Sequence, residues 1–104
     1  MRLAVGCVGL SRAISRDVTG RHIGQQLVRA VTSAGANYEE ARRAQSRADF
    51  VHKVAVAAKE MGETVYWLRL SLRLRVRMDP SLADEANQLL AILVASARTA
   101  RQRL

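Results

Sequence analysis

The sequence predicts an all-α protein: an antiparallel up-down four-helix bundle that occupies the whole chain, residues 1–104, as one domain. Three observations carry this. Only one proline and six glycines occur among 104 residues, while 49% are hydrophobic; Ala, Leu, Val, Arg and Gln dominate, as in long helices. Apolar residues recur at spacings of three and four along most of the chain. Two helix starts are also legible, at Ser46 and at Asp79-Pro80. The expected helices span approximately residues 2–14, 21–43, 47–75 and 80–101.

The first is "RLAVGCVGLSRAI", with Leu3, Cys7, Leu10 and Ile14 on one side. "SRDVTG" (Ser15 to Gly20) then reads as a turn. The second helix follows in "RHIGQQLVRAVTSAGANYEEARRA", where Ile23, Leu27, Val31, Ala34, Tyr38 and Ala41 keep helical spacing. Its middle, "TSAGAN", is built of small residues. Glycine inside a helix costs about 1 kcal/mol against alanine, so Gly35 suggests the close approach of a neighbouring helix.

The third helix begins at Ser46, with Asp49 three residues on as a capping-box variant. Its stripe is Phe50, Val54, Ala57, Met61, Val65, Leu68 and Leu72. This stripe settles an ambiguity in "YWLRLSLRLRVRM" (Tyr66 to Met78), whose apolar–polar alternation imitates a half-buried strand. No second strand is available, and a lone strand leaves its backbone unpaired. The segment is therefore expected to be the last turns of the helix, fraying in "RVRM". The fourth helix starts from Asp79 as cap and Pro80 at the first helical position. It lays Leu82, Ala86, Leu89, Leu90, Leu93, Val94 and Ala97 on one side. Asp84 and Glu85 near its start and Arg98, Arg101 and Arg103 near its end suit the helix dipole.

Fifteen arginines and two lysines against nine carboxylates give a net charge of +8. That balance favours polyanionic partners such as RNA, DNA or an acidic protein surface. Six residues before Cys7 are too few for a secretory or lipoprotein leader, and no apolar run reaches the ~20 residues of a membrane span. A single cysteine excludes an internal disulfide and suits a reducing compartment; a cytoplasmic location is expected, with no membrane partner.

Two groups of arginines stand out. Arg42, Arg43 and Arg47 surround the elbow between the second and third helices. Arg69, Arg73 and Arg77 recur at i, i+4 and i+8, with Arg75 between them. Like charges at that spacing destabilise a helix by about 0.2–0.5 kcal/mol per pair, so both groups are candidate contacts for phosphate or for an acidic partner. Asn37, beside the apolar face, reads as a hydrogen-bonding register pin, and Glu40 as half of a structural ion pair with an arginine. Tyr66 and Trp67 lack interleaved aromatics and suit a core or subunit interface better than base stacking. His22 and His52 are isolated from other ligands, Cys7 has no base nearby in sequence, and no phosphate loop follows a strand. No catalysis, metal, cofactor or small-molecule substrate is expected.

The stretch Ala36-Asn37-Tyr38-Glu39-Glu40, with "GQQLVRAV" before it and "KEMGETVYWLRL" and "EANQLLAI" after it, resembles the four-helix-bundle family of proteins encoded by intervening sequences of bacterial 23S ribosomal RNA genes. Accessory proteins of diversity-generating retroelements are similar. The resemblance runs from about Gly20 to Arg101. Asn37 and Glu40 match an "A-N-I/Y-x-E" pattern, Arg42, Arg43 and Arg47 fall in the family's basic elbow, and Trp67 and Leu68 fall in its "Y-W-L" run. It implies a non-enzymatic bundle assembled as a homo-oligomeric ring, typically a pentamer. For retroelement members it also implies binding to a reverse transcriptase and nucleic acid through basic surfaces. Three features depart from the family pattern: a first helix expected to be shorter at its N-terminus than in other members, Ala41 where glycine is common, and the arginine-dense "LRLRVRM". The functional expectation is a basic, oligomeric adaptor for nucleic acid or for a nucleic-acid enzyme. The alternative is a protein–protein scaffold whose arginines meet an acidic partner.

Overall fold

Short polar caps and long apolar stripes divide the chain into four helices in the computed structural model, which describes residues 1–104. They are α1 (Arg2–Ile14), α2 (Val18–Arg42), α3 (Arg47–Arg73) and α4 (Ser81–Gln102); there are no strands. Ser46 caps α3 as its sequence implies, its Oγ accepting from the Asp49 N–H at 3.0 Å. Asp79 accepts from the Ser81 N–H at 2.9 Å. That bond holds the Asp79 carboxylate below its usual pKa, but α4 begins one residue later than expected, at Ser81, so Pro80 is itself the N-cap and Asp79 stands just outside the helix.

α2 starts three residues earlier than expected. Asp17 is its cap, with Oδ1 accepting from Gly20 N–H at 2.7 Å, so Val18, Thr19 and Gly20 form the first turn rather than the connection. One satisfied backbone donor outweighs the turn-forming tendency of an isolated glycine.

α1 packs on α2, α2 on α3 and α3 on α4, with a smaller contact between α1 and α4. Seventeen buried residues from all four helices form one core. Leu27, Leu68 and Val54 are fully enclosed, each contributing about 1.5–3 kcal/mol by burial. Two polar residues share that interior. Thr64 and Ser71 donate to the carbonyls of Glu60 (3.0 Å) and Trp67 (2.9 Å) one turn back, and no buried side-chain polar atom lacks a partner. No helix is long and apolar enough to cross a membrane.

Three expected core placements change. Tyr38 is 45% exposed and Val94 41% exposed, because each lies at the margin of an apolar arc too wide for one contact face. Gly35 faces open space, with nothing near the position of an added Cβ. The close helix approach falls at Gly24 instead, where a Cβ would press on Ser11 of α1. Gly35→Ala is therefore expected to stabilise the fold by about 0.5–1 kcal/mol, read as a higher midpoint in chemical denaturation; a lower midpoint would mean that Gly35 meets a neighbour after all.

α3 also ends sooner than expected, at Arg73. Leu74 is its C-cap, and Arg75 follows with φ 60°. The Val76 N–H reaches the Ser71 carbonyl and the Arg75 N–H the Leu72 carbonyl, both at 3.0 Å. This is a Schellman motif with arginine where glycine usually sits, a substitution that costs roughly 1 kcal/mol or more. Val76 and Met78 then pack back onto the core. The segment after the helix is therefore a fixed turn, not a frayed end.

Candidate nucleic-acid interface

Most carboxylates are engaged within the fold. Arg29 of α2 binds two glutamates of α3, Nη1 to Glu60 at 3.0 Å and Nη2 to Glu63 at 2.6 Å. Lys53 Nζ meets Glu40 Oε2 at 2.6 Å, and the hydrogen-bonded ammonium holds the Glu40 carboxylate below its usual range. Glu40 thus forms an ion pair, but with a lysine of α3 rather than the expected arginine. Arg2 lies 3.8 Å from Glu85 and Arg42 3.5 Å from Glu39, while Asp17 caps α2 and Asp79 accepts from the Ser81 N–H. Exposed pairs of this kind add little to stability, because water and salt screen them.

Against that background the candidate arginines are notable for lacking partners. Of Arg42, Arg43, Arg47, Arg69, Arg73, Arg75 and Arg77, only Arg42 has a carboxylate within ion-pair distance. All seven are exposed. They form two separate groups, because Arg47 opens α3 and Arg73 closes it, and 27 helical residues place these ends about 40 Å apart. Arg42 ends α2 and Arg43 is its C-cap, so both stay with Arg47.

At the far end of α3, Arg69 and Arg73 line a groove with Tyr66, Leu70, Asn87 and Leu90. The helix stops before Arg77, which therefore does not continue their face; Arg75 and Arg77 extend the charge along the turn. Tyr66 is 58% exposed and stands edge-on to Trp67, ring centres 4.9 Å apart. Trp67 is half-buried, with His22 against its other side at 5.8 Å. Asn37 pins no neighbouring helix within the chain: its Nδ2 donates to the Ser33 carbonyl of its own helix at 2.9 Å.

At the near end, Arg47 shares an open cleft of about 710 Å³ with Arg103 of α4. Arg103 was read from sequence only as a complement to the helix dipole. It lines the same cleft as Arg47, 56 positions away in the chain, and no local pattern signals that placement. Cys7 is fully buried, and desolvation, with the charge of Glu85 adding to it, pushes its thiol up to about 11. It therefore stays protonated and inert near neutrality. No group of His, Cys, Asp or Glu side chains is placed to hold a metal ion.

Such an arrangement offers fixed positive charge at two ends of an elongated molecule, 46 Å long and about 20 Å across. Residues 1–95 match the family described as 23S rRNA-intervening sequence protein. The chain belongs to this family. A similar solved structure is the 1.70 Å crystal structure of a protein of unknown function from the S23 ribosomal protein family of Bacteroides thetaiotaomicron. It is 33% identical, the match covers 92% of each chain, and the TM-score is 0.82. No curated protein matches the chain. The family resemblance read from "ANYEE" and its surroundings is borne out, as is the all-α, four-helix class. Within the family match, Arg42, Arg43, Arg47, Arg69, Arg73, Arg75 and Arg77 all fall inside the matched residues, whereas Ser96, Thr99 and Arg103 lie beyond them.

Proposed function

We propose that this 23S rRNA-intervening sequence family member is a non-enzymatic, basic adaptor that binds the backbone of RNA or DNA, alone or together with a nucleic-acid enzyme such as a reverse transcriptase. The observation that carries the reading is the set of exposed arginines without carboxylate partners, gathered at both ends of α3. Guanidinium groups bind phosphate well because they present paired donors in one plane. Contact to phosphates positions a strand without reading its sequence.

The adaptor is proposed to act in the cytoplasm as an antiparallel up-down bundle assembled into a homo-oligomeric ring, with five subunits the number implied by the family resemblance. Exposed apolar side chains are available for self-association: Ile92 is 60% and Val5 65% exposed. In a ring, each basic group recurs on every subunit and weak contacts multiply.

Fluorescence anisotropy of a labelled single-stranded oligonucleotide tests the reading. Four to seven phosphate contacts give a slope of about −3 to −5 in log K against log salt, with similar affinity for unrelated sequences. Binding that persists at high salt would exclude it.

One observation favours a second reading, in which the arginines meet an acidic protein. The groove of Tyr66, Arg69 and Arg73 has apolar walls from Val65, Leu70 and Leu90. Tyrosine and arginine on an apolar floor are the composition of protein–protein interfaces. Salt-resistant capture of an acidic partner, with no retardation of RNA or DNA, would favour this scaffold role.

A further inference from the structure

The open cleft at the near end of the molecule combines two arginines with hydroxyl and aromatic side chains. One wall is the α2–α3 connection and the start of α3, which contributes Gln45 and Arg47; the other is the end of α4, with Ser96, Thr99 and Arg103. Phe50, half-buried, forms part of the floor. Two arginines from elements far apart in sequence thus line one open cleft, and neither has a carboxylate partner. The volume, about 710 Å³, is of the size that holds a small ligand. The helix dipoles do not account for the attraction, since the positive end of α3 and the negative end of α4 meet here and offset one another. The side-chain charges do.

From this geometry we infer that the cleft holds the phosphorylated end of a nucleic-acid strand: the terminal phosphate between Arg47 and Arg103, the hydroxyls of Ser96 and Thr99 at its rim, and the terminal sugar and base against Phe50. Charge matching selects an end over a passing backbone. A phosphomonoester carries about −1.5 to −2 charges near neutral pH and a backbone phosphodiester only one, against two guanidiniums. An aromatic floor adds a stacking surface that inorganic phosphate cannot use. The inference rests on the nucleic-acid reading above and deepens it from backbone contact to recognition of an end.

The test compares one short oligoribonucleotide in three forms, with a 5′-phosphate, a 3′-phosphate or hydroxyls at both ends, by anisotropy at fixed salt. At least one phosphorylated form is expected to bind at least fivefold more tightly than the hydroxyl form. Arg103→Gln, an exposed change at the end of α4, should remove that preference. Equal binding of all three forms overturns the inference and leaves the adaptor reading standing. If no oligonucleotide binds, the adaptor reading fails, and amide shifts on titration decide the cleft separately. A nucleoside monophosphate should shift Phe50 and Thr99 where the unphosphorylated nucleoside does not. Shifts from neither, or equal shifts from inorganic phosphate alone, overturn the inference.

Discussion

Replacing Gly20 with alanine is expected to lower the thermal midpoint by about 10–20 °C, corresponding to a loss of roughly 2–3 kcal/mol. Gly20 lies in the first turn of α2, directly beneath the end of α1. An added Cβ would lie well inside contact distance of the Ile14 carbonyl oxygen, and also close to Asp17 Oδ1. Neither obstacle is a flexible side-chain tip. The carbonyl belongs to the last residue of α1, and Asp17 is held by its bond to the Gly20 N–H. Relief requires moving α1, whose Leu3, Cys7 and Leu10 belong to the core, or losing the α2 cap at a cost of about 1 kcal/mol. Circular dichroism during heating measures the effect. A fall of less than about 3 °C would mean that the α1–α2 turn is looser than described.

Changing Arg69, Arg73, Arg75 and Arg77 together to glutamine is expected to weaken nucleic-acid binding by at least tenfold at moderate salt. The slope of log K against log salt should become shallower by about 3, since each phosphate contact on a single strand contributes about 0.7. None of these arginines has a carboxylate partner. Removing the like charges at i, i+4 relieves about 0.2–0.5 kcal/mol of repulsion, so the variant should melt no lower than the parent chain. That separates lost binding from lost structure. An unchanged slope would place the contacts at the Arg42, Arg43 and Arg47 end instead.

The helices were legible because each element carries consistent local signals. The α3 stripe from Phe50 to Leu72 and the Ser46 cap agree with one another, and together they overruled the strand-like alternation after Tyr66. The misreadings fall where one residue type serves two purposes. Gly20 resembles a turn signal yet sits inside α2, because Asp17 already supplies the cap. Gly35 resembles a packing contact yet faces solvent, and the close approach occurs at Gly24, with nothing in the local pattern to tell the two apart. Arg75 occupies a left-handed position that sequence reading reserves for glycine. For the site, sequence patterns found both arginine groups but could not pair Arg47 with Arg103, since only the packing of α4 on α3 brings them together. The glutamates that engage Arg29 and Lys53 were equally hidden, and they explain why so few carboxylates remain for the candidate arginines.

On the nucleic-acid reading proposed above, the length of α3 sets what size of polyanion reaches both basic ends. Its ends lie about 40 Å apart, and a duplex advances about 3.4 Å per base pair, so roughly a dozen base pairs span the distance. A shorter fragment can touch only one end at a time and gains nothing from the other. On that reading longer polymers meet both, and the second contact forms at the high local concentration that the first creates. Thus α3, one of the four helices that share the core, would also act as a ruler.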